Sequence, residues 1–210
     1  MTVAWTDVTI TIPTVAERAT SWHRVASDAL AACPGALLVV QQHQPGALPR
    51  VDFPIALGAA ARIGRPWILQ LEDDVALAPH FGTCVLPCPW LEDCDVLTLF
   101  SRNGADLEAM DRGDSVRRIG PSGFSMSQGF LIRSELAAGI EAFAPGWYAE
   151  HPEHNRAADL LLAAYLSKQK ARVLVRIPSL VQHRRGPSTL PGHRGARQSE
   201  SFRKAFGEVE

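Results

Sequence analysis

Over the first hundred residues, short β-branched or apolar runs alternate with stretches whose apolar residues recur at helical spacing, and no other feature restricts the fold as tightly. Val8 to Ile12 reads as a strand that stops at Pro13. Val15 to Ala32 carries Val15, Ala19, Trp22, Val25, Ala26, Ala29 and Leu30 at helical intervals and ends before Pro34-Gly35. Ala36 to Val40 is short and wholly apolar, as expected of a strand buried on both faces of a parallel sheet. Asp52 to Ile63 predicts a helix with Asp52 as N-cap and Pro54 in its first turn. Trp67 to Leu71 and Asp95 to Phe100 are further strands. Such alternation gives an α/β sheet with right-handed crossovers.

The second half is less regular. Gly129 to Ile132 predicts a strand, and Ser134 caps a helix running to Phe143. Ala158 to Gln169 is an amphipathic helix, Arg172 to Ile177 a strand stopped by Pro178, and Phe202 to Phe206 a short helix. Gly104 to Gln128, rich in Gly, Ser, Asp and Arg, reads as a long functional loop. The expected fold is one α/β domain, a Rossmann-like mixed sheet flanked by helices. Residues 1–103 form its nucleotide-binding half, 104–190 an irregular half and 191–210 a basic tail.

With 210 residues, 46% of them hydrophobic and 20% charged, the chain can bury a core. A net charge of -1 removes any uniform attraction to nucleic acid or anionic membrane and leaves only local basic patches to act. No apolar run reaches the ~20 residues of a membrane span, and the first residues lack the pattern of a signal peptide, so the expected compartment is the cytoplasm. Four cysteines suit reduced thiols better than a disulfide framework. His80, Cys84, Cys88 and Cys94 are zinc ligands by type, at a spacing that is not a familiar closed site, so a loop with partly buried thiols stays open as the other reading.

Chemistry concentrates in WILQLEDDVAL, residues 67–77. Ligands of open α/β sheets bind beyond the carboxyl ends of the strands. Glu72, Asp73 and Asp74 at such an end offer hard oxygen donors suited to Mg²⁺ or Mn²⁺. Three adjacent carboxylates repel unless a cation or an arginine compensates, although an acidic turn or helix cap would read the same way. A second cluster is PSLVQHRRGPS, residues 178–188, where His183 can complete the coordination of the same ion. Arg184 and Arg185 can neutralise a diphosphate, with Gly186 and Ser188 admitting backbone and hydroxyl donors.

The strand-EDD segment and the later PSLVQHRRGPS together resemble glycosyltransferases of the GT-A fold, over about Val8 to Ser188. The resemblance implies a GT-A-like domain whose second half faces the acceptor. It implies a Mn²⁺ or Mg²⁺ ion held by an acidic DxD-type motif on a nucleoside-diphosphate sugar. By position, Asp74 becomes the principal metal ligand and His183 the second, while Glu72 or Asp73 faces the ribose or assists. Pro13, Thr14 and Arg18 become contacts to base and ribose, and Gln41 and Gln42 reach the base edge or simply cap their strand. The family pattern has an intervening apolar residue where this chain has a third acid, so the division of labour among the three stays open.

In inverting relatives an acid at a helix start deprotonates the acceptor, which points to Asp159, with Glu150 and Glu153 as fallbacks. A carboxylate near a helix N-terminus is held as the anion that can accept a proton, and an ordinary N-cap is the alternative. Gly120 to Phe130 then faces the sugar and acceptor, and Trp147 and Tyr148 either stack on a ring or belong to the core. Arg184, Arg185, Arg194, Arg197, Arg203 and Lys204 either close over the donor, grip an acceptor such as DNA carrying a hydroxylated base, or are simply solvated; a glycan is the other acceptor expected. Two competing readings are a Mg²⁺-dependent nucleotidyltransferase and a sugar- or nucleic-acid-binding module on a degenerate scaffold. The first lacks a Gly-rich phosphate loop after the opening strand.

Overall fold

A computed structural model describes residues 3–15, 18–43, 49–86, 88–124, 127–154, 157–184 and 198–209. A seven-stranded mixed sheet, with strand order β2-β1-β3-β7-β5-β8-β6, forms the centre. Its strands are β1 (Val8–Val15), β2 (Leu37–His43), β3 (Trp67–Leu71), β5 (Val96–Thr98), β6 (Val116–Ile119), β7 (Gly129–Arg133) and β8 (Val173–Arg176). β1 runs parallel to β2 and β3, β5 runs parallel to β8, and β7 is antiparallel to both β3 and β5. A separate two-stranded ribbon joins β4 (Val75–Leu77) to β9 (Val181–His183).

Period-two alternation along β3 sorts the core into two layers. Trp67, Leu69 and Leu71 face a cluster with Val25, Ala26 and Ala29 of α1 (Ala19–Ala32), Phe81 and Val85 of α3 (Phe81–Val85), and Phe202 of α8 (Glu200–Phe206). Ile68 faces the other layer, built by α2 (Pro49–Ala61), α5 (Ser134–Ala137), α6 (Ile140–Glu150) and α7 (Ala158–Lys168). There Phe124 and Phe130 meet edge to face at 5.4 Å, the arrangement their ring quadrupoles favour.

Several expectations need correction. β1 continues through Pro13 to Val15, because β3 accompanies it only as far as Thr11 and Pro13 lies where that flank is open. β2 is an edge strand rather than one buried on both faces, and Leu37 is exposed. Asp52 lies inside the first turn of α2 and pairs with His43 instead of capping. Ser134 caps nothing; its hydroxyl donates to the Arg65 carbonyl, and the predicted helix breaks into α5 and α6 around Gly139. The stretch 104–128 is no bare loop: it holds α4 (Ala105–Asp111) and edge strand β6, tied by Arg117 to the buried Asp106.

Two contacts carry stability predictions. A Cβ at Gly82 would stand 1.7 Å from the Ala32 carbonyl oxygen, backbone that cannot step aside. Gly82→Ala therefore forces α3 off α1, at a cost of about 3 kcal/mol and a melting temperature lower by about 10 °C in scanning calorimetry. Asp95 is bound by the Arg172 backbone N–H and guanidinium. Burial works to raise its carboxyl, but Arg172 and Arg133 outweigh that and hold it below the usual range. Its contribution is thus present above the unfolded carboxylate value and is lost as pH falls through the folded one. In Asp95→Asn the acid limb of melting temperature against pH should be shallower.

Candidate metal and donor site

β3 ends at Leu71 and delivers Glu72, Asp73 and Asp74 to the carboxyl end of the sheet. β4 leaves at once and pairs antiparallel with β9, placing Val75 opposite His183. The Arg184 N–H donates to the Asp74 carbonyl at 2.9 Å and extends that ladder. His183 Nε2 consequently lies 3.3 Å from Asp74 Oδ2. Glu72 completes a group of three whose potential ligand atoms all lie within 4.8 Å of one another.

The imidazole proton can be assigned. His183 Nδ1 is 2.8 Å from the Arg184 carbonyl oxygen, a partner that only accepts, so Nδ1 carries hydrogen. In the neutral ring Nε2 then presents a lone pair to Asp74 Oδ2, and two acceptors at that separation require a proton or a cation between them. Asp74 Oδ1 is buried with no hydrogen-bond partner among the described residues. Two carboxylates and one correctly tautomerised imidazole fit Mg²⁺ or Mn²⁺ by donor chemistry.

Asp73 is turned the other way. Thr14 Oγ1 donates to its Oδ2 at 2.6 Å, Arg18 pairs with its Oδ1, and Ser21 Oγ donates to its carbonyl at 2.7 Å. At 5% exposure with both oxygens committed, it ties β1 and α1 to the acidic turn. Burial, with Asp74 beside it, keeps its carboxyl above the usual range although Thr14 and Arg18 act to lower it. Arg18 reaches on to Asp74, with Nη2 3.0 Å from Oδ2. The three acids are thereby sorted: Glu72 and Asp74 converge, and Asp73 stands as the residue between them.

Other expected residues are spread around this centre. The Arg184 guanidinium points to the Val75 carbonyl at 3.0 Å and to Asp28 at 3.4 Å on α1. Arg185 and Ser188, like Arg194 and Arg197, lie outside the described residues. Pro13 is half-buried on β1, Gln41 follows on the neighbouring strand with Oε1 buried and without a hydrogen-bond partner among the described residues, and Gln42 is exposed. Asp159 stands in the first turn of α7, accepting the Leu160 N–H at 3.1 Å, and is not one of the three converging groups. Glu150 ends α6, and Glu153 lies between His151 and His154. Trp147 and Tyr148 belong to the core cluster, with the imidazoles of His151 and His154 against the Trp147 ring.

The sequence did not single out Ser127, whose hydroxyl donates to Glu72 Oε1 at 2.8 Å, or Ser21. It also missed His43, whose Nδ1 is 3.0 Å from Asp52 and whose Nε2 is buried without a hydrogen-bond partner among the described residues. A histidine at a strand end followed by an acid in the next helix was the available signal. Among the described residues His80, Cys84, Cys88 and Cys94 form no mutually close ligand group. Cys94 instead sits in the core, where burial pushes its thiol up to about 12. Arg203 pairs with Glu200 and Glu208, and Lys204 with Asp111, so those cations of the tail are neutralised locally. No described helix is long and apolar enough to cross a membrane.

No protein-family model and no curated protein matches the sequence. Solved structures do. One is a glycosyltransferase involved in the glycosylation of the major capsid of PBCV-1, at 13% identity and TM-score 0.50, over 85% of this chain and 94% of that one. Another is a nucleoside-diphosphate-sugar pyrophosphorylase from Vibrio cholerae RC9, at 10% identity and TM-score 0.51, over 84% of this chain and 75% of that one. The fold is GT-A-like. At such identities the likeness concerns the fold alone. Two different reactions appear among its neighbours, so the chemistry must be argued from the GT-A-like crevice itself.

Proposed function

We propose that this protein is a divalent-cation-dependent glycosyltransferase that moves a sugar from a nucleoside-diphosphate sugar to an acceptor hydroxyl with inversion. The observation that carries the reading is the meeting of Asp74 Oδ2 and His183 Nε2 at 3.3 Å, with Nδ1 of the same ring 2.8 Å from the Arg184 carbonyl oxygen. Glu72, Asp74 and His183 would hold Mn²⁺ or Mg²⁺, which when bound supplies positive charge to the leaving diphosphate. Donor contacts are assigned to Pro13, Thr14, Arg18, Gln41, Gln42, Arg184, Arg185 and Ser188, in the half up to residue 103 and on the segment after β9. The half from 104 to 190 takes the acceptor.

In this mechanism Asp159 accepts the proton of the acceptor hydroxyl as that oxygen bonds to the anomeric carbon. The bond from that carbon to the diphosphate oxygen breaks on the opposite face, and its electron pair leaves with the nucleoside diphosphate. What supports Asp159 is its place in the first turn of α7, where the helix dipole favours the anion. That helix packs on the turn Pro121–Gly123, from which the chain leads to Ser127 at Glu72.

Nucleotidyl transfer is the second reading, favoured by the pyrophosphorylase among the fold neighbours. A panel of nucleotide sugars incubated with and without Mn²⁺ separates the two. Release of nucleoside diphosphate supports sugar transfer, and pyrophosphate exchange into nucleoside triphosphate would replace it. Cation-dependent thermal stabilisation by a nucleotide sugar, with no turnover for any acceptor, would indicate a binding module.

A further inference from the structure

We infer that Arg18 sets the charge of the acidic crevice so that it takes a divalent cation together with a diphosphate rather than the cation alone. The inference rests on the reading of Glu72, Asp74 and His183 as ligands and deepens it. Arg18 Nη2 lies 3.0 Å from Asp74 Oδ2, the oxygen that also faces His183 Nε2. Its Nη1 holds Asp73, and its side chain is 20% exposed, so the guanidinium is part of the crevice wall.

Charge bookkeeping gives this position its meaning. Glu72, Asp73 and Asp74 supply three negative charges, and Arg18 cancels one of them. A cation arriving by itself meets a carboxylate already shared with a guanidinium and feels the repulsion of that guanidinium from a few ångströms away. A diphosphate reverses the sign of the interaction. Guanidinium matches phosphate oxygens as well as carboxylate oxygens, so the edge of Arg18 that faces Asp74 can pass to the phosphate.

The two edges of the fork are not equivalent. Asp73 is almost fully buried, is also held by Thr14, and is tied to α1 through Ser21, so that edge stays in place. Asp74 is the more exposed of the two and has an unpartnered oxygen of its own with which to receive the ion. Burial works to lower the Arg18 guanidinium, but Asp74 and Asp73 outweigh it. Arg184, the neighbouring arginine on the β9 side, is engaged with Val75 and Asp28 and does not share this carboxylate pair.

The test is calorimetric titration with Mn²⁺ alone and with Mn²⁺ plus inorganic pyrophosphate. Arg18→Gln should bind Mn²⁺ alone about tenfold more tightly than the wild type and Mn²⁺-pyrophosphate about tenfold more weakly. Because Arg18→Gln takes the cationic partner from the buried Asp73 and leaves it only Thr14, the comparison is repeated in an Asp73→Asn background, where no buried charge is stranded. Adding Arg18→Gln to Asp73→Asn should again tighten Mn²⁺ by about tenfold. If the wild type binds Mn²⁺ and loss of Arg18 does not tighten it in either background, this inference falls and the ligand assignment stands. If the wild type takes up no Mn²⁺ with or without pyrophosphate, the ligand assignment falls first and brings this inference down with it.

Discussion

Asp74→Ala will weaken Mn²⁺-dependent binding of the donor by at least about a hundredfold, roughly 2.7 kcal/mol, in calorimetric titration. The size follows from what the residue does in the crevice. Asp74 is the one side chain that meets His183 on one side and belongs with Glu72 on the other, so its loss leaves two donors without the charge that joins them. The fold should survive. Arg18 keeps Asp73, and the β4–β9 ladder uses the Asp74 backbone rather than its side chain. A melting temperature within a few degrees of the wild type is therefore the control, as expected for removal of a partly exposed charge. Asp74→Asn separates charge from shape, because it preserves the side-chain outline and should lose nearly as much affinity. Unchanged donor affinity in both variants would remove Asp74 from the proposed ligands.

The second large effect is expected at Asp159. Asn in its place preserves volume and can still accept the Leu160 N–H, but it cannot take a proton from an acceptor hydroxyl. Turnover should fall by about 10²- to 10⁴-fold while donor affinity stays within a factor of two, since general base catalysis contributes on that order. Initial rates combined with donor titration check this. If turnover persists, the same measurement on Glu153→Gln and Glu150→Gln locates the base; Glu153, between His151 and His154, is the first to examine.

The closeness of Asp74 to His183 was easier to anticipate from the sequence than the elements around them. Asp74 could be placed because WILQL, buried from end to end, leads straight into the acids; the strand that carries His183 is only the three residues VQH and was not anticipated. Asp73 was not separable from its neighbours. Three adjacent acids look alike until Thr14 and Arg18 bind the middle one, and those partners come from β1 and the start of α1. β2 was expected to be buried on both faces, but it lies at the sheet edge with Leu37 exposed, because an apolar run carries no mark of what covers it or of whether a neighbour lies on one flank or both. The stretch from 104 to 128 hid α4 and β6 because β6 is ordered by pairing with β8, some fifty residues further along the chain, and the Arg117–Asp106 contact that ties the two forms only once that pairing is made. Arg184 was read as a diphosphate contact from its residue type, and nothing in the sequence marked the reach of its side chain to Asp28 on α1.

β7 lies between β3 and β5 and runs against both, so the strand that joins the two parallel blocks comes from beyond residue 103. A polypeptide cut between 103 and 104 would leave β3 and β5 each without this neighbour, and neither fragment should fold until mixed with the other. Exchange of the portion beyond residue 103 between related chains, by recombination or by engineering, therefore has to carry β7 across intact with its register to Leu71 and Thr98, or the acidic crevice loses the floor on which it stands.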